Sequence, residues 1–277
     1  MRFRTLPVLL AAAAWSTVSS GRAGTLAEIP FHHRDGFLWI EVSVDGQREP
    51  LHFLLDSGAA SSVVSLDAAR RLDLSLGRPL PVQGVHSQTT AFRIRRFEAQ
   101  IAGIALPRSV LALDLEAVGA TCHRPIDGLL GADFFRGRVV QIDFAEERIR
   151  LLDEARADSR SVILPVRMRN DAICVAVGVA GQPSQWLRLD TGCDSALEWV
   201  TGDARARDAR GASVGLTSAR ADTIRVDVDL GGRTLRGIEA GVHHRQIFPR
   251  EAGLLGTGLL SKFRVTVDGP GRRVILD

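Results

Sequence analysis

Two short runs carry residues able to act on a substrate, Leu54-Leu55-Asp56-Ser57-Gly58 and Arg188-Leu189-Asp190-Thr191-Gly192. Each sets a carboxylate after an apolar stretch and before a hydroxyl residue and a glycine. A single Asp-Ser-Gly or Asp-Thr-Gly is commonly a turn whose side chain bonds its own backbone. Two copies in matched surroundings allow more. Carboxylates in contact cannot both ionise cheaply, so they share a proton and titrate in separated steps. One member can then take a proton from water while the other hydrogen-bonds a carbonyl, which hydrolyses an amide without a covalent enzyme intermediate. One copy alone would supply only half of that pair.

The surroundings are matched because most of the chain is written twice. Ile29-Pro30-Phe31 through Val42-Ser43-Val44-Asp45-Gly46-Gln47 reappears as Leu164-Pro165-Val166 through Val177-Gly178-Val179-Ala180-Gly181-Gln182, 135 residues later. The Asp motifs are offset by 134, and Gly128-Leu129-Leu130-Gly131 returns as Gly253-Leu254-Leu255-Gly256 at an offset of 125. Asp143 and Asp268 keep that last offset and read as turn residues at strand ends. A repeat of this length in two copies means two domain-sized lobes rather than a solenoid or a propeller. Within each lobe the patterning is that of strands. Ile40, Val42 and Val44 alternate with Glu41, Ser43 and Asp45, and Ile173, Val175, Val177 and Val179 do the same, the period of half-buried strands. Asp45-Gly46 and Ala180-Gly181 supply hairpin turns. Ile224 to Leu230 and Val265 to Val267 read as further strands. Helical signals are brief: Ser65 as N-cap for 66–72, then one or two turns after Gly131 and after Gly256. The polar stretch 153–160 is the linker.

With these landmarks in place, the chain resembles the aspartic peptidase clan over about residues 28–277, its retropepsin-like members more than pepsin. The resemblance implies an all-β, bilobal acid-protease fold of double-psi type, with two duplicated lobes, 28–153 and 160–277, around a central cleft. Phe53 to Gly58 would interlock with Leu129-Leu130-Gly131, and Leu187 to Gly192 with Leu254-Leu255-Gly256. A short helix and final strand would follow in each lobe, through 139–144 and 265–268. Asp56 and Asp190 would be the catalytic pair of an endopeptidase acting on peptide or protein substrates without a cofactor. Ser57 and Thr191 would tie the two turns together, and Gly58 and Gly192 would permit close backbone approach. Glycine-tipped flap hairpins have candidates at Gly84-Val85 and at Val214-Gly215. Holding both aspartates in one chain implies a monomeric pseudo-dimer. Two features depart from the family: the chain has no tyrosine, and Cys193 follows Gly192 where Ser, Thr or Ala is usual.

Other function classes fit less well. Gly211-Ala212-Ser213-Val214-Gly215 has the spacing of a serine nucleophile elbow, with His243 and His244 downstream, but the polar 203–210 precedes it where an apolar strand is needed. The seven histidines form no metal-ligand spacing, and the net charge of +3 rests on scattered arginines, so neither a metal site nor a nucleic-acid groove is indicated. A bilobal peptide-binding protein without turnover is the alternative of a different class. Asp127 and Glu251, each just before a Gly-Leu-Leu, read as solvent charges at strand ends. Cys174 reads as a small core residue, and a Cys122–Cys193 disulfide is open to an exported chain. Export itself is expected from residues 1–23: Arg2 and Arg4, then an apolar run from Leu6 to Trp15, then small residues to Ala23. That run is too short to span a bilayer, so the mature chain is expected in the periplasm or outside the cell, with no stable membrane insertion.

Overall fold

The strands of the described residues form two sheets, and one of them belongs to both halves of the chain. The computed structural model describes residues 24–84, 87–201 and 222–277. The expected export segment, residues 1–23, therefore lies outside the described residues. A ten-stranded sheet is built wholly from the first half, and a twelve-stranded sheet runs from the joint between halves into the second. The fold is all-β and bilobal, as the repeat implies.

The joint is a six-stranded layer in the order Thr25–Pro30, Arg148–Leu152, Val139–Asp143, Arg264–Asp268, Arg273–Leu276 and Val162–Arg169. Its two central strands run antiparallel with Gln141 opposite Thr266. Those two residues are each other's repeat equivalents, so the pseudo-twofold passes between them. The Gln141 Nε2 donates to Thr266 Oγ1 across it at 3.2 Å. Asp143 and Asp268 close the turns that follow, accepting from the backbone N–H of Glu146 at 3.1 Å and of Gly271 at 2.7 Å. Both are turn residues at strand ends, in keeping with their spacing.

The hairpins also come in pairs. Gln47 N–H bonds Val44 O and Gln182 N–H bonds Val179 O, at 3.1 and 3.0 Å, closing the two turns signalled by glycine. Asp35-Gly36 and Asn170-Asp171, again 135 apart, all take positive φ, the geometry of a tight hairpin that matches strand twist. The short helix Leu66–Arg71 is capped by Ser65 Oγ, which accepts from Ala68 N at 3.0 Å. Asp67 in its first turn and Arg70 and Arg71 in its last suit the helix dipole. After Gly131 and Gly256 stand one 3-10 turn, Ala132–Phe134, and one α-turn, Thr257–Leu260.

One strand differs from its pattern. Ala172–Val179 alternates in sequence, yet nearly all of it is buried. Its large residues Ile173, Val175, Val177 and Val179 face the main core. Its other face carries Ala172, Cys174 and Gly178, and three neighbouring strands pair with it. A strand covered on both faces carries non-polar residues on each. The three cysteines are buried and free, so no Cys122–Cys193 disulfide forms.

Candidate active site

Each aspartate is delivered by a strand locked into a crossed loop. Leu51–Leu55 runs parallel to Gly128–Leu130 with Leu54 beside Leu129. Gly128–Leu130 in turn pairs antiparallel with Val63–Ser65, the strand that follows the Asp turn. The chain thus passes out from Asp56, around, and back under itself. Asp56 N–H closes the crossing on Leu130 O at 2.9 Å. In the second half Gln185–Asp190 runs parallel to Gly253–Gly256, with Leu189 beside Leu255 and Asp190 beside Gly256. Leu197–Val200 pairs antiparallel with that returning strand. The two psi-loops implied by the resemblance are both present.

The two turns meet at the pseudo-twofold. Thr191 Oγ1 accepts from Ser57 N at 3.0 Å and donates to Leu55 O at 2.8 Å. Ser57 Oγ accepts from Thr191 N at 3.1 Å and donates to Leu189 O at 2.8 Å. All four bonds are buried and cross between halves. Gly58 and Gly192 are required by distance: a Cβ on Gly58 would lie 2.3 Å from Asp190 Cγ, and one on Gly192 would lie 2.6 Å from Asp56 Cγ. Each glycine therefore supports the carboxylate of the opposite half. Asp56 Oδ1 also accepts from Ala59 N, and Asp190 Oδ1 from Gly192 N, both at 2.9 Å.

Both carboxyls are pushed above the ordinary range. Burial is the main cause for Asp56, offset in part by hydrogen bonds from backbone N–H groups. Burial is also the main cause for Asp190, and the adjacent Asp56 charge adds to it, bringing Asp190 up to about 8. Such a pair holds one proton between its two titration steps. Cys193, directly after the second turn, is buried with its Sγ 3.0 Å from Ser195 Oγ. Burial raises its thiol well above the usual value, so it stays protonated and serves as a small wall.

Three charged groups near the turns escaped the sequence reading. Asp133 holds the returning chain, accepting from Ser62 N at 2.9 Å and Ser62 Oγ at 2.6 Å. Ser62 Oγ in turn accepts from Gly131 N at 3.1 Å. Glu251 is not a solvent charge. It is buried and takes a forked pair of bonds from Arg188, Nε to Oε2 and Nη2 to Oε1, both 2.7 Å. Asp127, expected in solvent as well, is largely covered and accepts from His52 N at 2.9 Å and Arg71 Nη2 at 2.6 Å. A strand-end carboxylate looks free in sequence because its partner lies far along the chain.

The remaining candidates divide by place. Pro79–Gly84 and Ser87–Ile94 form an antiparallel hairpin with Gly84 opposite Ser87, at the first of the two expected flap positions. Pro79 and Pro81 fit there because this is the sheet's edge strand. Val85, Val214, Gly215 and Ser213 lie outside the described residues. His243, named as a base for Ser213, is buried against Glu198. Among the described residues no group of three or more His, Cys, Asp or Glu is placed to hold a metal ion.

Residues 40–134, which contain the first Asp motif and its Gly-Leu-Leu-Gly, match the family model for aspartyl proteases. In fold the chain is similar to the crystal structure of the aspartic proteinase from Irpex lacteus, at 11% identity and a TM-score of 0.54. That likeness covers 90% of this chain and 96% of the other. At so low an identity it speaks for the fold alone. No curated protein matches the chain. The resemblance to aspartic peptidases drawn from the two motifs is borne out by the family match in the first half and by the fold of the whole.

Proposed function

We propose that the chain is an aspartic endopeptidase that hydrolyses peptide bonds with a water held between Asp56 and Asp190. The observation that carries this reading is the crossed support of the two carboxyls, each resting on the glycine of the opposite half. The ionised carboxyl takes a proton from the water as its oxygen attacks the scissile carbonyl carbon. The protonated carboxyl donates to the carbonyl oxygen and so stabilises the tetrahedral intermediate. Proton return to the amide nitrogen then allows the C–N bond to break. The rigid turns keep the reacting groups in register, which contributes through orientation.

A digest of a mixed peptide library with the purified protein tests this across a range of pH. The active form has one proton on the pair. Asp190 keeps its proton until about pH 8, so cleavage should decline as pH rises through that region. The acid limb should lie above the ordinary carboxylate value of about 3.9, since Asp56 is raised too. Binding of peptides with no cleavage at any pH would favour a bilobal peptide-binding protein instead.

One chain supplies both carboxyls, and the central strands of the joint hold them together. We therefore expect an active monomer. Specific activity should stay constant as the protein is diluted to nanomolar concentration, because tethered halves find each other at roughly millimolar effective concentration. Loss of activity on dilution, with a dimer seen by light scattering, would show instead that two chains share the work.

A further inference from the structure

The halves differ in kind two residues before each aspartate. In the first half Leu54 and Ile126 belong to one buried apolar cluster. The repeat equivalents of these two residues are Arg188 and Glu251. Their side chains are 4% and 1% exposed, so a full ion pair stands deep in the second half where the first half has apolar side chains. Such a pair does not improve stability over apolar packing of the same volume. Its place close to the carboxyls points to another role.

The guanidinium is oriented, not merely buried. One edge forks onto Glu251, while Nη1 points the other way and donates to Gly58 O at 2.7 Å. Gly58 belongs to the opposite half and lies under Asp190. Phe248 covers one face of the guanidinium at 3.5 Å, and Asn170 Nδ2 donates to Glu251 Oε1 at 3.1 Å. The positive end of the pair thus faces the dyad and the negative end faces away.

We propose that Arg188, held by Glu251, is a positioning residue of the dyad: it clamps the first half's Asp-Ser-Gly turn from the second half and presents one fixed positive charge to both carboxyls. This rests on reading Asp56 and Asp190 as the catalytic pair. Arg188 opposes the burial that raises each of them. Another titratable group, Cys174, lies opposite Arg188 on the neighbouring strand. Burial raises that thiol to about 12, so it is silent in the working range. Arg169 and Arg250 lie beyond Glu251 and meet through the Arg169 guanidinium and the Arg250 carbonyl.

The test transplants the first half's own solution, Arg188→Leu with Glu251→Ile, into the full chain. Carboxyl carbon NMR of Asp56 and Asp190 reads their titration whether or not peptide is cleaved. Both steps should move up, but by less than the unit or more expected for losing a nearby opposite charge alone, because the more distant Glu251 charge is removed with it. Where peptide is cleaved, kcat should fall roughly tenfold with KM little changed, and both limbs of the pH profile should move up with the titration. Glu251→Gln, which keeps the guanidinium, should move the titration down. Arg188→Lys should restore the titration but not kcat, because an ammonium cannot fork onto Glu251 and still reach Gly58. Wild-type titration in both the double variant and Glu251→Gln overturns the proposal. If the wild-type protein cleaves nothing, the peptidase reading fails while the titration still decides the role of Arg188.

Discussion

Replacing Asp56 or Asp190 by Asn should each lower kcat/KM by at least about 10³-fold, the scale of losing a group that acts in the chemical step itself. Asn is the same size, and its Oδ1 can still accept from Ala59 N or from Gly192 N. What it removes is the group proposed to share a proton with its partner. Stability should separate this from misfolding. Asp190 holds its proton to about 8 when folded and ionises near 3.9 when unfolded. The folded state therefore binds more protons in that window, and wild-type stability falls as pH rises through it. Asp190→Asn lacks this dependence, so its melting temperature near pH 8 should equal or exceed wild type. A single variant that kept within tenfold of wild-type turnover would sink the dyad assignment.

Thr191→Val should destabilise the fold by about 2–4 kcal/mol, because two buried backbone groups lose their partner at once. Ser57 N–H would have no acceptor and Leu55 O no donor. Valine matches threonine in volume, so little of the loss comes from packing. Thr191→Ser keeps the hydroxyl and should recover most of the difference. Urea unfolding of the three proteins measures this. A cost below about 0.5 kcal/mol, typical of an ordinary surface change, would mean that the bonds across the pseudo-twofold contribute no net stability. Turnover of the valine variant should also fall, since the turn carrying Asp190 is held by the same hydroxyl.

Much of this geometry was legible before any coordinates. The motifs, their equal order in both halves and the returning Gly-Leu-Leu-Gly strands are local signals, and local signals survive in sequence. So do Ser65 as a cap and Asp45-Gly46 as a turn. What failed to show was pairing over distance. Glu251 reads as a solvent charge because Arg188 stands 63 residues earlier, and nothing at short range links them. The repeat does hold a clue: both charges fall where the first half has Leu54 and Ile126, and two departures from one template mark a pair. Asp133 is hidden for the same reason, with its partner Ser62 some 71 residues away. The joint sheet depends on Val139–Asp143 finding Arg264–Asp268, and short apolar strands do not name their neighbours.

Placing both halves in one chain also lifts a rule that governs identical subunits. Around a true twofold every side chain is present twice, so a mutation near the axis is always a double mutation. An arginine at the place of Leu54 would appear on both sides, and two guanidinium groups would face one shared proton. Here the equivalents are free to differ, and they do: leucine with isoleucine in one half, arginine with glutamate in the other. Even the residues on the axis, Gln141 and Thr266, no longer match. The backbone keeps the symmetry of a pair, while the side chains have taken up a heterodimer's division of labour.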